Sequence, residues 1–375
     1  MSTELKLSSA PHAHGLLSTG TIMKILVASL IPAIALNVYY YGCGILINIV
    51  IACLSCTLSE ALILKIRHKN PKLVFIDFSA IVTGVLIALT IPQLTPWYLT
   101  VAGSLFAMII VKHCYGGLGQ NIFNPAMAGF VFLLISCPLP MTTYVNALPG
   151  NMNILNFENS AKIIFNVDKK ETMNNVQNLY MQNEYIMQNK FEQKVIADGF
   201  SGATFLVNSF HEQPSNTVAS FTEQNMSSVT IFNFQARILI SIAFMLSGLF
   251  LAYMKIIDYK ITLAFLLTAM TFATICYLVN PNKFLPPLYH LIFGATVFGA
   301  FFIITDPVTA VSKPKGAWIY GCLIGILFIL IRNFGGYPDA MAFSVLLGNA
   351  FAPLISIMTR RRIFGYNSKP GDMNE

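Results

Sequence analysis

The sequence predicts an all-α polytopic membrane protein of about ten transmembrane helices, arranged as a five-plus-five inverted repeat with one long extracytoplasmic loop. Three observations lead there: the composition, the succession of apolar runs, and a pattern that recurs between the two halves. Of 375 residues, 55% are hydrophobic and 10% charged, and the mean hydropathy is +0.65. A water-facing surface calls for about 25–35% charged residues, which 23 Lys+Arg and 16 Asp+Glu cannot supply. The net charge of +7 sits in short clusters between apolar stretches, without the basic stripe interleaved with aromatics that nucleic acid requires. The lipid bilayer is the expected surroundings, and nucleic acid is excluded as a partner.

A spanning helix needs about 20 mostly apolar residues. Such runs centre near residues 31, 54, 84, 104, 131, 245, 270, 297, 324 and 348. Turn-forming or polar segments separate them, among them Tyr41–Gly44, Lys65–Lys72, Gln93–Pro96, Lys112–Gly119, Lys255–Lys260, Asn280–Pro287, Asp306–Gly316 and Asn333–Asp339. Residues 1–20 are polar and carry Pro11, His12 and His14, so no signal peptide is expected and the N-terminus is retained. His12 and His14 are two ligands without a third and read as a surface segment or subunit contact. The seven cysteines lie in or beside apolar runs, where a disulfide framework is not expected. Cys53-x-x-Cys56 is expected to supply small side chains for helix packing.

Cationic residues set the orientation. With the N-terminus inside, fifteen Lys and Arg fall on cytoplasmic ends and loops, including Lys65, Arg67, Lys112, Lys313 and Arg360–Arg362, against only Lys283 and Arg332 in the short loops opposite. The first membrane half is then 1–140, an extracytoplasmic loop 141–233, and the second half 234–375. The loop is rich in Asn and Gln and lacks an apolar period, as a partly ordered insertion does. The halves echo each other: Ser79–Gly84 through Thr90-Ile91-Pro92 lies against Gly294–Gly299 through Thr305-Asp306-Pro307 at an offset of 215 residues. Ala126-Met127-Ala128 and Ala340-Met341-Ala342 form a second echo. Because the third and eighth runs point oppositely, the repeat is inverted, and such repeats put ligand sites at their interface beside interrupted helices.

Tyr115-Gly116-Gly117-Leu118-Gly119-Gln120-Asn121-Ile122-Phe123-Asn124-Pro125-Ala126 cannot continue a helix comfortably. At membrane depth it surrounds a ligand, with Asn121 and Asn124 meeting the polar edge of a heterocycle; alternatively it is a tight turn whose asparagines cap the next helix. Glu60, Asp77, Asp306 and Asp339 lie near helix ends, where hydration explains them cheaply and an ion path is the sharper alternative. Trp97 reads as an interfacial anchor. In the loop, Asp198-Gly199-Phe200-Ser201-Gly202-Ala203-Thr204 offers a hydroxyl after small residues that let a modifying enzyme approach the backbone.

That last motif resembles the site at which a flavin transferase joins FMN to threonine through its phosphate, with Thr204 as the matching acceptor. Together with Ser9–His14, the Tyr115–Asn121 and Phe123–Met127 segments, Phe301–Ala310 and Phe334–Asp339, it makes the chain resemble the RnfD/NqrB family. These are the membrane subunits of the Rnf electron-transport complex and of the sodium-pumping NADH:quinone reductase. Gln120 and Met127 are similar to the RnfD branch; Phe205, where the family more often has Pro or Ser, departs from the pattern next to the acceptor. The resemblance implies a bacterial inner-membrane flavoprotein with both termini cytoplasmic, covalent FMN on Thr204 in the periplasmic loop, and a second, non-covalent riboflavin among the helices. It implies the other membrane and peripheral subunits of the complex as partners, and electron transfer between ferredoxin and NAD coupled to Na+ or H+ movement. No complete active site is expected in this chain, because the flavin itself carries the electrons. The competing classes are a secondary transporter or channel, and a structural scaffold that leaves the Thr204 motif without a purpose.

Overall fold

The computed structural model describes residues 18–71, 73–145, 147, 154–167, 171–172, 201–202, 228–281, 284–292, 295–311, 313–335 and 339–359. Helix α1 (Thr19–Tyr41) begins where the Ser18 hydroxyl accepts from the Thr21 amide, and stops at Gly42, whose φ of 88° disfavours any other residue. Helix α2 (Gly44–Ile66) follows at once. A short α3 (Leu73–Asp77) ends at Phe78, left-handed at φ 57°, and this break starts α4 (Ser79–Thr90). Ile91 is extended, as the residue before Pro92 prefers to be, and closes α4. Helix α5 (Trp97–Leu105) widens into a π-helix over Phe106–His113.

Beyond a glycine-rich loop, α6 (Pro125–Ser136) and α7 (Pro138–Thr142) lead into strand β1 (Tyr144–Val145). Helix α8 (Phe157–Ile164) and strand β2 (Ser201–Gly202) are the further elements assigned before the second half. That half comprises α9 (Ser228–Tyr253), α10 (Tyr259–Val279), α11 (Pro287–Ile292), α12 (Thr296–Phe298) with its π-helical continuation Gly299–Ile303, α13 (Pro314–Phe334) and α14 (Ala340–Met358).

Every expected apolar run forms helix, but the expectation of ten spans is not met in length. Among the described residues, six helices are long and apolar enough to cross a membrane: α1, α2, α9 from Phe234, α10, α13 and α14. The runs near 84, 104, 131 and 297 are shorter apolar helices. Their ends lie at identifiable breaks: Phe78 and Pro92 around α4, the glycine loop before α6, and the short α12 with its π turn. The chain is a polytopic, mainly helical integral membrane protein. Its described part also contains a two-stranded ladder, in which Tyr144 pairs with Gly202 and Val145 with Ser201, antiparallel.

Close helix contacts rest on small residues, as membrane interiors require. A Cβ on Gly84 of α4 would stand 2.8 Å from the Cys53 Cα of α2. Cys53 and Cys56 are free thiols, Cys56 buried, in keeping with a packing role. Gly321 and Gly325, one turn apart on α13, lie against α10: added Cβ atoms would meet the Ile261 carbonyl oxygen at 2.6 Å and that of Phe265 at 2.9 Å. The halves interleave, α1 along α9 and α6 beside α14. On the outside of α2, Val50, Leu54, Leu58, Leu62 and Ile66 recur every four residues and are all exposed, a stripe suited to hydrocarbon.

Two candidate ligand cavities

Two cavities sit toward opposite ends of α1. The larger, about 170 Å³, is lined by Asn37 and Tyr41 from the end of α1, Thr90 and Gln93 at the end of α4, and Tyr144 and Val145 of β1. Its other walls include Arg237, Ser241, Phe244, Ala295, Phe298, Arg332 and Asp339. We call it the ladder cavity. Arg332 is buried in the last turn of α13. Its Nη1 donates to the His290 carbonyl (3.0 Å) and to Thr296 Oγ1 (3.2 Å), and its guanidinium lies 4.1 Å from the centre of the Phe328 ring. No carboxylate stands within 4.0 Å of it among the described residues; its contacts are dipoles and a π face, and Asp339, on the same cavity wall, attracts it from farther off.

The smaller cavity, about 50 Å³, is lined by Met23 and Leu26 near the start of α1, Ser79 at the start of α4, and Lys112 at the end of the π-helix. Leu118, Asn121, Asn124, Thr305 and Asp306 complete its polar and loop-borne walls. This is the glycine-loop cavity, and the loop's geometry explains its sequence. Gly116, Gly117 and Gly119 have φ of 124°, 111° and 89°, a region that side chains rarely adopt. Arg67 pins the entry, donating from Nη2 to the His113 carbonyl (2.7 Å) and from Nη1 to the Gly116 carbonyl (3.0 Å).

The two asparagines take different positions. Asn124 is the N-cap of α6: its Oδ1 accepts from the Ala126 amide (3.0 Å) and the Met127 amide (3.3 Å), ahead of Pro125 in the first helical turn. Asn121 donates to the Phe123 carbonyl (3.1 Å), but its buried Oδ1 has no partner. An acceptor in that state is expensive unless a donor arrives. Asn124 is thus a helix cap, as the capping alternative has it, and both residues line the cavity.

Of the loop motif, Ser201 and Gly202 form β2; Asp198, Gly199, Ala203 and Thr204 lie outside the described residues, as do His12 and His14. Asp339 caps α14, accepting from the Met341 amide at 2.7 Å. Asp306 accepts from Thr309 Oγ1 at 3.0 Å and the Val308 amide at 3.4 Å. Trp97, at the first turn of α5, is exposed, as an interfacial ring would be.

Three charged residues differ from their sequence reading. Glu60 was expected at a hydrated helix end, and Lys112 and Arg332 in loops as topology signals; all three are buried. Lys112 Nζ stands 2.5 Å from Glu60 Oε1 and donates to Ser79 Oγ at 2.8 Å. A cation close to the end of an apolar run looks interfacial in one dimension, while the partner that buries it is 52 residues away. The one sequence signal was that both cations stand three or four residues before a Gly-Gly pair in the echoed segments.

Six helices among the described residues that are long and apolar enough to cross a membrane, shorter apolar helices between them and two polar-walled cavities define a polytopic integral membrane protein. Residues 6–365 match the NQR2, RnfD, RnfE family, and the chain belongs to that family. Its relatives include three bacterial proteins that share one name, as the same component of an ion-translocating oxidoreductase complex. The one from Shewanella frigidimarina is 39% identical over 364 residues, 96% of this chain and 98% of that protein. The Aliivibrio salmonicida protein is 39% identical over 368 residues, with 96% and 98% covered. The Escherichia coli protein is 38% identical over 366 residues, with the same coverage.

Proposed function

We propose that this chain is the membrane flavoprotein subunit of an ion-translocating oxidoreductase complex of the bacterial inner membrane. It relays electrons between ferredoxin and NAD through FMN joined by a phosphoester to Thr204 and through a non-covalent riboflavin. The electron flow is coupled to Na+ or H+ translocation with the other subunits, and a flavin transferase installs the FMN. Both termini are cytoplasmic and 141–233 is periplasmic, within a five-plus-five inverted repeat.

The observation that carries the flavin assignment is the β1–β2 ladder. Tyr144 and Val145 wall the ladder cavity and pair with Ser201 and Gly202. Thr204 follows Gly202 by two residues, at most about 7 Å of extended chain, so a flavin tethered there reaches this cavity. Phe130, Phe244 and Phe298 offer flat apolar walls, and Gln93, Ser241 and Arg332 polar contacts, the mixture a ring ligand needs. Two arginines against one aspartate suit a phosphodiester that keeps one negative charge. In the glycine-loop cavity Lys112 is offset by Glu60 and Asp306 is held by Thr309 and the Val308 amide, so no surplus cation awaits a phosphate and the cavity suits an uncharged riboflavin, whose ring N–H meets the orphaned Asn121 Oδ1. At about 50 Å³ it holds a ring edge; taking the full three-ring system requires the Gly116–Gly119 loop to shift.

The inverted repeat is supported by corresponding parts. Each cavity combines the start of one broken helix (Ser79 or Ala295) with the end of the other (Thr305 or Thr90), a buried cation (Lys112 or Arg332) and the cap of the next helix (Asn124 or Asp339).

The flavin assignment is tested by Thr204→Ala, expressed with a flavin transferase: covalent in-gel fluorescence disappears while the protein still inserts. Equal fluorescence in the variant removes the assignment. Orientation is tested with a membrane-impermeant thiol reagent on intact cells. A cysteine at position 174 in place of Asn174 reacts and one replacing Asn70 does not; the reverse pattern puts Thr204 on the wrong side.

A further inference from the structure

A buried ion pair inside a helical membrane protein is expensive, and this one is incompletely satisfied. Glu60 Oε1 is held by Lys112 Nζ at 2.5 Å, while Oε2, also buried, has no partner. His113 Nε2 stands 3.6 Å from Oε1, just past hydrogen-bond reach, and both of its ring nitrogens are buried without partners. Ser79 Oγ also accepts from Lys112, the Cys56 thiol lies one turn before Glu60, and Asp306, held by Thr309 Oγ1 and the Val308 amide, is the carboxyl on the cavity wall that Lys112 shares. Lys112 and Ser79 also wall the glycine-loop cavity. Glu60 is six residues, about 9 Å of helix, from the Ile66 end of α2, the end that the cation clusters assign to the cytoplasm.

We propose that the Glu60–Lys112–His113 cluster is a redox-linked proton site: when an electron enters the glycine-loop cavity, Lys112 turns its charge to the ligand there and Glu60 takes up one proton. The inference rests on reading that cavity as the seat of a redox-active ring. The balance is one for one. A one-electron donor in the complex adds one negative charge to the cavity, Lys112 compensates it, and the Nζ–H···Oε1 hydrogen bond opens. An O–H bond forms on Glu60 as the corresponding bond of a cytoplasmic hydronium breaks, with the unpartnered His113 imidazole positioned to pass the proton. Oxidation returns the electron to an acceptor and the proton to water. The low-dielectric surroundings enforce this, because neither an uncompensated ligand charge nor an unpaired carboxylate is tolerated there. A purely structural ion pair would keep the same protonation in both redox states.

The test is redox-difference infrared spectroscopy on the purified complex, with acid-released flavin measured on the same sample. Reduction is expected to produce a carboxylic-acid C=O band that shifts in D2O, is lost in Glu60→Gln and moves in frequency in Glu60→Asp. Lys112→Met removes the band from the difference spectrum, since the carboxyl then stays protonated in both states. The band persists in Thr204→Ala, which lacks covalent flavin. If released flavin is present and reducible in the wild type but no such band forms, or if the band survives Glu60→Gln, the proton site is overturned while the cavity reading stands. If Thr204→Ala releases no flavin and shows no band, the cavity reading falls and the proton site with it.

Discussion

The two cavities contain corresponding parts and differ in how each buried cation is compensated. At the glycine loop, Lys112 is tied to a carboxylate and a hydroxyl. At the ladder, Arg332 reaches a carbonyl, a hydroxyl and a phenyl face. Both cations are buried, so the difference is not screened away. The comparison teaches that similar parts yield two unlike sites according to how closely an acid stands to the cation, with Glu60 2.5 Å from Lys112 and Asp339 beyond ion-pair contact with Arg332. A carboxylate in contact, like Glu60, neutralises its cation directly; with Arg237 and Arg332 against a single Asp339, the ladder cavity keeps a net positive field for an anion.

The largest expected effect breaks the comparison at the ion pair. Lys112→Met leaves the buried Glu60 carboxyl without its cation, so that it must take up a proton, and should cost up to about 3–5 kcal/mol, whereas Lys112→Met combined with Glu60→Leu should recover most of that loss. Arg332→Met, which breaks no contact ion pair, should cost clearly less than Lys112→Met. Unfolding of the detergent-solubilised protein measures all three. If Arg332→Met is as damaging as Lys112→Met, the two cations are equivalent and the contrast is wrong.

A middle-sized effect separates the ligands. Asn121→Leu removes a buried acceptor from the glycine-loop cavity, costing the riboflavin about 1–3 kcal/mol, or about 5–150-fold in affinity. Asn124→Leu should lower releasable flavin too, and also destabilise α6 by about 0.5–2 kcal/mol through loss of its cap. Acid-released flavin per protein falls in both, and covalent flavin stays constant. Full retention of releasable flavin in both variants at low free riboflavin would assign these residues to the turn alone.

The smallest effect isolates the loop backbone. Nothing lies within 4 Å of a Cβ added to Gly119, so Gly119→Ala meets only the cost of φ 89°. That cost is about 1–2 kcal/mol, and it should weaken riboflavin retention while leaving the covalent FMN untouched. A loss of both flavins would mean that the loop supports the whole fold.

How much of this was legible in the sequence follows from what hydropathy measures. It located the ten apolar runs that form helix, because burial in lipid or protein demands apolar side chains throughout, but not α8, in the loop read as lacking an apolar period. It could not separate spans from short helices, since Phe78 is left-handed and the helices widen at Phe106 and Gly299 without any residue that announces it. The glycine loop was legible because positive φ at three positions leaves few alternatives to glycine, and the Asn124-Pro125 cap follows a known preference. Lys112, Glu60 and Arg332 were misread because a charge near the end of an apolar run is ordinarily hydrated, and only the fold brings Glu60 to Lys112. The ladder was illegible for a different reason: two-residue strands carry no period.

The central claim, two flavins held differently in two unlike cavities, is tested most directly by flavin accounting in one preparation. Intact mass and in-gel fluorescence report covalent FMN, and acid release reports riboflavin, for wild type, Thr204→Ala and Asn121→Leu made alongside a flavin transferase. The account predicts one covalent FMN plus releasable riboflavin in the wild type, only releasable flavin in Thr204→Ala, and only covalent flavin at low free riboflavin in Asn121→Leu. A wild-type chain carrying no covalent mass increment, or flavin that Thr204→Ala leaves covalently attached, would contradict it.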